Sequence, residues 1–145
     1  MWICGVRVPH DLGALAHSDG DVGLHALCDA LLGSLGLGDI GVLFPDNDAQ
    51  WKDRASGYFV RECVRRVRAV GYEVGNVDLV VMLERPKLRP HVEAMRAQVA
   101  AELGVDVECV SIKATTMERT GAIGAGDAVA CHAVVLVERI GRELC

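Results

Sequence analysis

His17-Ser18-Asp19-Gly20-Asp21-Val22-Gly23-Leu24-His25-Ala26-Leu27-Cys28-Asp29 packs two histidines and three aspartates into thirteen positions. From Asp21 onward, Leu24, Leu27, Leu31 and Leu35 recur at helical spacing, which predicts an amphipathic helix over about Asp21 to Leu35. Ser18, Asp19 and Gly20 supply cap and turn chemistry just ahead of it. Gly36, in Gly36-Leu37-Gly38, sits where a glycine commonly ends a helix. Asp21, His25 and Asp29 fall at i, i+4 and i+8, one above another on a single face. A histidine between two aspartates, beside a helix N-terminus, suits a metal ligand with oxygen neighbours and an anion nearby. A surface histidine with solvated aspartates is the other reading of the same face.

Outward from this helix, Trp2, Ile3, Val6 and Val8 predict a strand over Met1 to Val8, closed by Pro9. Downstream, a polar loop from Asp39 to Ser56 contains Phe44-Pro45-Asp46-Asn47-Asp48 and Trp51-Lys52. Loops of that length in a compact domain are usually functional or mobile. Tyr58 to Val70 reads as a second helix ended by Gly71, with Arg61, Arg65, Arg66 and Arg68 on a solvated basic face. Val77 to Leu83 is strongly β-prone, and Pro90 opens a third helix running to Leu103 and Gly104. Val107 to Ala114 and Ala128 to Ile140 read as two closing strands. The order β-α-α-β-α-β-β predicts an α+β fold: a single domain over residues 1–145, with one mixed sheet and helices packed on one face.

Composition narrows the function classes. A chain of 145 residues that is 51% hydrophobic but only 4% aromatic has a Val, Leu and Ala core suited to helices on a sheet. A net charge of −5 argues against a nucleic-acid partner, which needs a basic face. It leaves room for a small phosphorylated substrate held by local cations, metals and backbone amides. Six scattered cysteines with no Cys-x-x-Cys pair fit reduced, mostly buried thiols in a cytoplasmic protein. No stretch has the ~18 apolar residues of a membrane span, and no secretion signal is evident.

Four further clusters carry candidate chemistry. Asp39-Ile40-Gly41 offers a carboxylate and backbone amides to a polyol, or is an ordinary exit turn. Phe44-Pro45-Asp46-Asn47-Asp48 suits a flap over a substrate, or is an acidic turn. Arg85-Pro86-Lys87-Leu88-Arg89-Pro90 offers cations and rigid backbone to a base edge or phosphate, or is a crossover with solvated charges. Lys113-Ala114-Thr115-Thr116-Met117-Glu118 offers hydroxyls to phosphate oxygens and a carboxylate to a hard cation such as Mg2+. Thr115 and Glu118 also have capping-box spacing.

Together these segments closely resemble the 2-C-methyl-D-erythritol 2,4-cyclodiphosphate synthase family. The resemblance runs from Ile3 onward and rests on AHSDGDVGLHALCDALLG (Ala16 to Gly33), LGDIGVLFPDND (Leu37 to Asp48), GNVDLVVMLERPKLRPH (Gly75 to His91) and IKATTMERTG (Ile112 to Gly121). In this order the set is highly specific. It implies a homotrimer with active sites between subunits, converting 4-diphosphocytidyl-2-C-methyl-D-erythritol 2-phosphate into the cyclic diphosphate and CMP. The class is a phosphorus–oxygen lyase of the non-mevalonate isoprenoid pathway. By resemblance, His25 is a zinc ligand, and His17 and Ser18 contact the substrate, with His17 a transition-state stabiliser. Asp39, Ile40 and Gly41 hold the erythritol, and Phe44, Pro45, Asp46, Asn47 and Asp48 form the flap. Leu83, Glu84, Arg85, Pro86, Lys87, Leu88 and Arg89 line the cytidine pocket. Thr115, Thr116, Met117 and Glu118 form the phosphate segment, with Thr116 a second transition-state stabiliser and Glu118 a ligand of the second metal. The implied cofactors are Zn2+ and Mg2+ or Mn2+. The substrate's own 2-phosphate is the nucleophile, which explains the lack of a nucleophilic side chain with its base.

The resemblance departs from the family pattern in two places. Family members begin with one more strand bearing Gly-x-Asp-x-His, whose Asp and His complete the zinc site, whereas Met1-Trp2-Ile3-Cys4-Gly5-Val6 aligns with the next strand. His25 is then the one matched zinc ligand. Ala122 and Ala125 stand where the family usually has an aromatic and a basic residue, while Asp127 keeps its acidic character. The alternative reading is a truncated, catalytically impaired trimer that binds nucleotide or isoprenoid diphosphate.

Overall fold

The computed structural model describes residues 1–10, 19–45, 47–51 and 54–141. The single strand expected over Met1 to Val8 is a small hairpin: β1 (Trp2–Ile3) runs antiparallel to β2 (Val6–Arg7). Cys4 and Gly5 make the turn with φ of 50° and 76°, the left-handed pair that a two-residue hairpin requires. A Cβ on Gly5 would stand 2.5 Å from Gln98 Cγ, so the turn also demands the missing side chain. Apolar alternation continues through the turn, and for that reason the pattern reads as one strand.

The first helix, α1 (Val22–Gly33), buries Leu24, Leu27, Cys28, Leu31 and Leu32. It stops short of Leu35, where Gly36 turns left-handed and the Leu37 N–H donates back to the Leu32 carbonyl at 2.9 Å. The loop expected from Asp39 to Ser56 contains a short helix, α2 (Ile40–Leu43), and a 3₁₀ turn at Ala49–Trp51. The second long helix, α3 (Ser56–Ala69), is followed by β3 (Tyr72–Met82), which begins five residues before the β-prone run because an irregularity between Val74 and Asn76 brings Tyr72 and Val74 onto the core face. Pro90 lies in a 3₁₀ turn, Arg89–His91, that leads into α4 (Val92–Leu103). Val107–Cys109 is another 3₁₀ turn rather than strand, and β4 is Val110–Thr115. A short helix without a sequence signature, α5 (Gly121–Ala125), precedes β5 (Ala130–Arg139).

The main sheet has the order β4-β3-β5, with β3 parallel to β4 and antiparallel to β5. The parallel pair needs a crossover, which α4 supplies. Against this sheet α1 packs on β5, α3 on β3 and α4 on β4. Val77, Leu79 and Val81 of β3 and Val110 and Ile112 of β4 are buried beneath the helices. Lys113 and Asp78 meet at 2.7 Å from adjacent strands, and Val134 and Leu136 of β5 stand 69% and 55% exposed. A three-stranded mixed sheet with helices packed on it, and the N-terminal hairpin as a separate two-stranded sheet in place of the one sheet expected, is thus the observed α+β architecture. The basic face of α3 is not simply solvated: Arg65 and Arg66 clasp Glu62, and Arg61 clasps Glu102 of α4. No described helix is long and apolar enough to cross a membrane.

Candidate functional site

The start of α1 is organised by Asp21, whose side chain is fully buried. Its Oδ1 accepts from the N–H groups of Leu24 at 3.0 Å and Cys4 at 2.8 Å, and its Oδ2 from Gly5 at 2.6 Å. One carboxylate therefore caps α1 and closes the hairpin turn. Burial holds this carboxyl above its ordinary range despite three N–H donors acting in the opposite sense. Asp29, two turns on, accepts from the Ile40 N–H at 2.8 Å and so ties α2 to α1. The two aspartates that flank His25 on this face thus both serve backbone amides.

His25 meets a different partner. Its Nε2 lies 3.0 Å from Ser56 Oγ, at the first turn of α3. Ser56 is fully buried; its backbone N–H donates to Asp19 Oδ2 at 2.8 Å and its hydroxyl donates to Asp19 Oδ1. Sequence reading missed Ser56, which looks like the last residue of a loop. Ser56 follows the N-cap residue Ala55 and its hydroxyl makes no cap, so no local pattern singles it out. Among the described residues no group of three or more His, Cys, Asp or Glu side chains comes together in a form that would hold a metal ion. The described residues therefore do not by themselves compose the zinc site that the resemblance implies.

A second set of groups forms where the parallel strands end. Met82 and Thr115 are register partners, and the Leu83 N–H donates to the Thr115 carbonyl at 3.1 Å. The segments Leu83 to Arg89 and Thr115 to Glu118 consequently leave the sheet side by side, where α/β ligands commonly bind. Thr116 Oγ1 donates to Glu118 Oε1 at 2.7 Å, while Glu118 and Arg119 take φ of 49° and 62°. The Arg85–Pro86 peptide is cis. Arg85, Lys87 and Arg89 are exposed, whereas Leu83 and Leu88 are buried core residues. Ala130 of β5 is paired with Met82, so β5 begins at this same end of the sheet. Burial, reinforced by the Asp21 carboxylate, pushes the thiol of the next residue, Cys131, up to about 11.

The expected flap divides. Phe44 is buried, its ring centroid 4.6 Å from that of Phe59 in a tilted pair and edge-on to Trp51 at 5.1 Å, so it anchors the loop. Asp39 caps α2 through the Val42 N–H at 2.9 Å, beside Ile40 and exposed Gly41. Pro45 and Asn47 are exposed, and Asp48 accepts from the Gln50 N–H at 3.1 Å. His17, Ser18 and Asp46 lie outside the described residues. A hollow of 250 Å³ lies between the hairpin, α3 and α4, bounded by Trp2, Tyr58, Gln98 and Glu102. Of the site residues it touches only Asp19, and it is smaller than the ~300–1,000 Å³ of common ligand pockets. The five described cysteines are free, and Cys28 is held well above its ordinary range by its hydrogen bond with Cys63 and by burial.

A mixed sheet covered on one face by helices, with polar segments leaving adjacent parallel strand ends, defines a single-domain α+β protein of the ligand-binding kind. The chain belongs to the YgbB family, which it matches over residues 1–138. It is 56% identical over 135 residues to the 2-C-methyl-D-erythritol 2,4-cyclodiphosphate synthase of Pasteurella multocida, covering 93% of this chain and 85% of that one. A solved structure of a synthase of that name in a CDP-bound form superposes with a TM-score of 0.88 at 41% identity, covering 95% of this chain and 89% of the other. The bifunctional IspDF from Campylobacter jejuni superposes at 0.93 with 38% identity, over 97% of this chain and 38% of that larger one. The resemblance read from the four sequence segments holds.

Proposed function

We propose that this chain catalyses the metal-dependent cyclisation of 4-diphosphocytidyl-2-C-methyl-D-erythritol 2-phosphate to 2-C-methyl-D-erythritol 2,4-cyclodiphosphate, releasing CMP, as a homotrimer. The supporting observation is the Met82–Thr115 register, which sets the Leu83 to Arg89 and Thr115 to Glu118 segments against each other at one sheet end. The synthase names of its relatives and the CDP-bound similar structure support the same substrate class. In the reaction an oxygen of the 2-phosphate attacks the phosphorus nearer the erythritol. The bond from that phosphorus to the bridging oxygen breaks, and CMP leaves with the electron pair.

The chain's own groups contribute position and charge. Exposed Arg85, Lys87 and Arg89 face the anionic nucleotide, and the backbone from Leu83 to Arg89 reads the cytosine edge. The Thr116 hydroxyl gives its one proton to Glu118 in the free chain and, with substrate bound, rotates to donate it to the oxygen on which charge develops. Asp39 and the amides of Ile40 and Gly41 hold the erythritol, while His17, Ser18 and the loop from Phe44 to Asp48 complete the contacts. Holding nucleophile and leaving group in one cleft removes the entropic cost of their meeting. Zn2+ and Mg2+ or Mn2+ belong to this reading through the family resemblance.

The deciding experiment follows the substrate by 31P NMR with the 145-residue protein, Mg2+ and Zn2+. Appearance of the cyclic diphosphate with equimolar CMP is expected, and Thr116→Ala should lower kcat by about 10²–10³-fold, as for loss of a transition-state donor. CDP binding without any product would replace the enzyme by the nucleotide-binding alternative. Absence of both would reject the reading.

A further inference from the structure

We propose that Gly124 is a positioning residue that sets Thr116 for the reaction by seating the main chain of the turn from Met117 to Thr120. The turn is closed by the Thr120 N–H, which donates to the Met117 carbonyl at 2.9 Å. Its two central residues, Glu118 and Arg119, are both left-handed, with φ of 49° and 62°. Neither is a glycine, asparagine or aspartate, the residues that ordinarily take this conformation. A pair of bulkier residues stays there only where its surroundings hold it. Gly124, buried in α5, is the neighbour that does so. A Cβ on it would stand 2.7 Å from Arg119 Cα, 3.1 Å from Arg119 N and closer still to the Arg119 carbonyl carbon. All three are backbone atoms, so no side chain can swing aside to make room. Gly124 is itself helical, and is required for space rather than for its dihedral angle.

The contact bears on the chemistry through one short stretch of chain. Thr116 directly precedes the turn, and its hydroxyl donates to Glu118 Oε1 at 2.7 Å. The Gly124 N–H donates to the Thr120 carbonyl at 3.1 Å, so α5 grips the end of the turn as well as its middle. On the other side, Thr115 is the register partner of Met82 and its carbonyl accepts from the Leu83 N–H. Thr116 is thereby held between a fixed strand end and a fixed helix. Thr116 and Glu118 are both exposed, without core packing of their own, so the main chain decides where the hydroxyl stands. Any larger residue at position 124 forces the turn away from α5, and the hydroxyl moves with it. A displacement of about 1 Å at a positioned group costs on the order of 10²-fold in rate. That catalytic consequence rests on the function proposed above; the seating of the turn does not.

The test compares Gly124→Ala with the wild type, both as the full 145-residue protein, by NMR and by kinetics. In the free protein the amide signals of Met117 to Thr120 and the Thr116 methyl signal should shift, while those of the buried core residues Leu27 and Leu79 stay in place. With substrate, kcat should fall about 10²-fold with KM little changed, because the segment from Leu83 to Arg89 is untouched. In a Thr116→Ala background the same substitution should cost almost nothing further, since an effect that passes through the hydroxyl vanishes once the hydroxyl is gone. A merely structural glycine would lower kcat equally in both backgrounds. Unshifted signals over residues 116–120 in folded Gly124→Ala, or equal losses of kcat in the two backgrounds, overturn the proposal. Should Gly124→Ala not fold, the wild-type NOE between the Gly124 α-protons and the Arg119 α-proton decides: its presence supports the seat and its absence overturns it. A wild type that forms no cyclic diphosphate leaves the NMR signals to decide the seating, so the two readings fail separately.

Discussion

At Asp21 one buried carboxylate answers three backbone N–H groups from two elements. Its spacing with His25 and Asp29 is equally that of a ligand face and of a cap followed by a tether, so periodicity alone leaves its role open. The tertiary contacts decide it, because Cys4 and Gly5 arrive from 17 and 16 residues away. Asp21→Ala removes a helix cap, worth about 1 kcal/mol. It also leaves buried donors without partners, at about 1–3 kcal/mol. We expect a loss of roughly 3 kcal/mol in urea unfolding, by the sum of those two effects. A loss below about 1 kcal/mol, the cap alone, would mean that the hairpin turn finds other acceptors.

At the scale of elements, α3 shows how a charge run acquires structure. Glu62 receives Arg65 and Arg66, and Arg61 reaches Glu102 of α4. The Arg65 hydrogen bond, with help from Arg66, holds the Glu62 carboxyl below its ordinary range. A depressed folded-state value means that this contribution is present above the unfolded glutamate range. It is lost as pH falls through the folded value, because the unfolded chain binds the proton first. Glu62→Gln should therefore lower stability at neutral pH slightly, within the ~0–1 kcal/mol of exposed pairs, and flatten the acid limb of the stability curve. Parallel acid limbs for the two proteins would show that the pair contributes nothing in solution. The same scale explains the flap. Phe44-Pro45-Asp46 looks like a mobile acidic turn because Trp51 and Phe59, which bury Phe44, are distant in the hydrophobic pattern.

For the whole molecule, the outer sheet face is the feature that a lone subunit leaves unexplained. Val134 and Leu136 stand largely exposed on β5, opposite the face that meets α1. Apolar surface of this kind usually marks an interaction site. In the homotrimer proposed above it is the surface available for burial against copies of the chain. Sedimentation should give a species of three times 15.5 kDa, and Leu136→Glu should shift it toward a single subunit by burying a charge. A stable monomer at micromolar concentration would count against both the trimer and a cleft shared between subunits.

Local pattern was sufficient for α1, α3, α4 and the core of β3, because periodic burial and glycine stops are properties of adjacent residues. It was also sufficient for the family, whose four segments survive as contiguous strings. The hairpin at Cys4-Gly5, the anchoring of Phe44 and the engagement of Asp21 and Asp29 by backbone amides depended on partners far along the chain. So did the hydrogen bonds that join Ser56 to Asp19, 37 residues away, and to His25. A carboxylate or hydroxyl carries the same chemistry whether it meets a metal, a substrate or an amide. Only the folded chain brings up the partner that selects among them, since a buried polar group must find one.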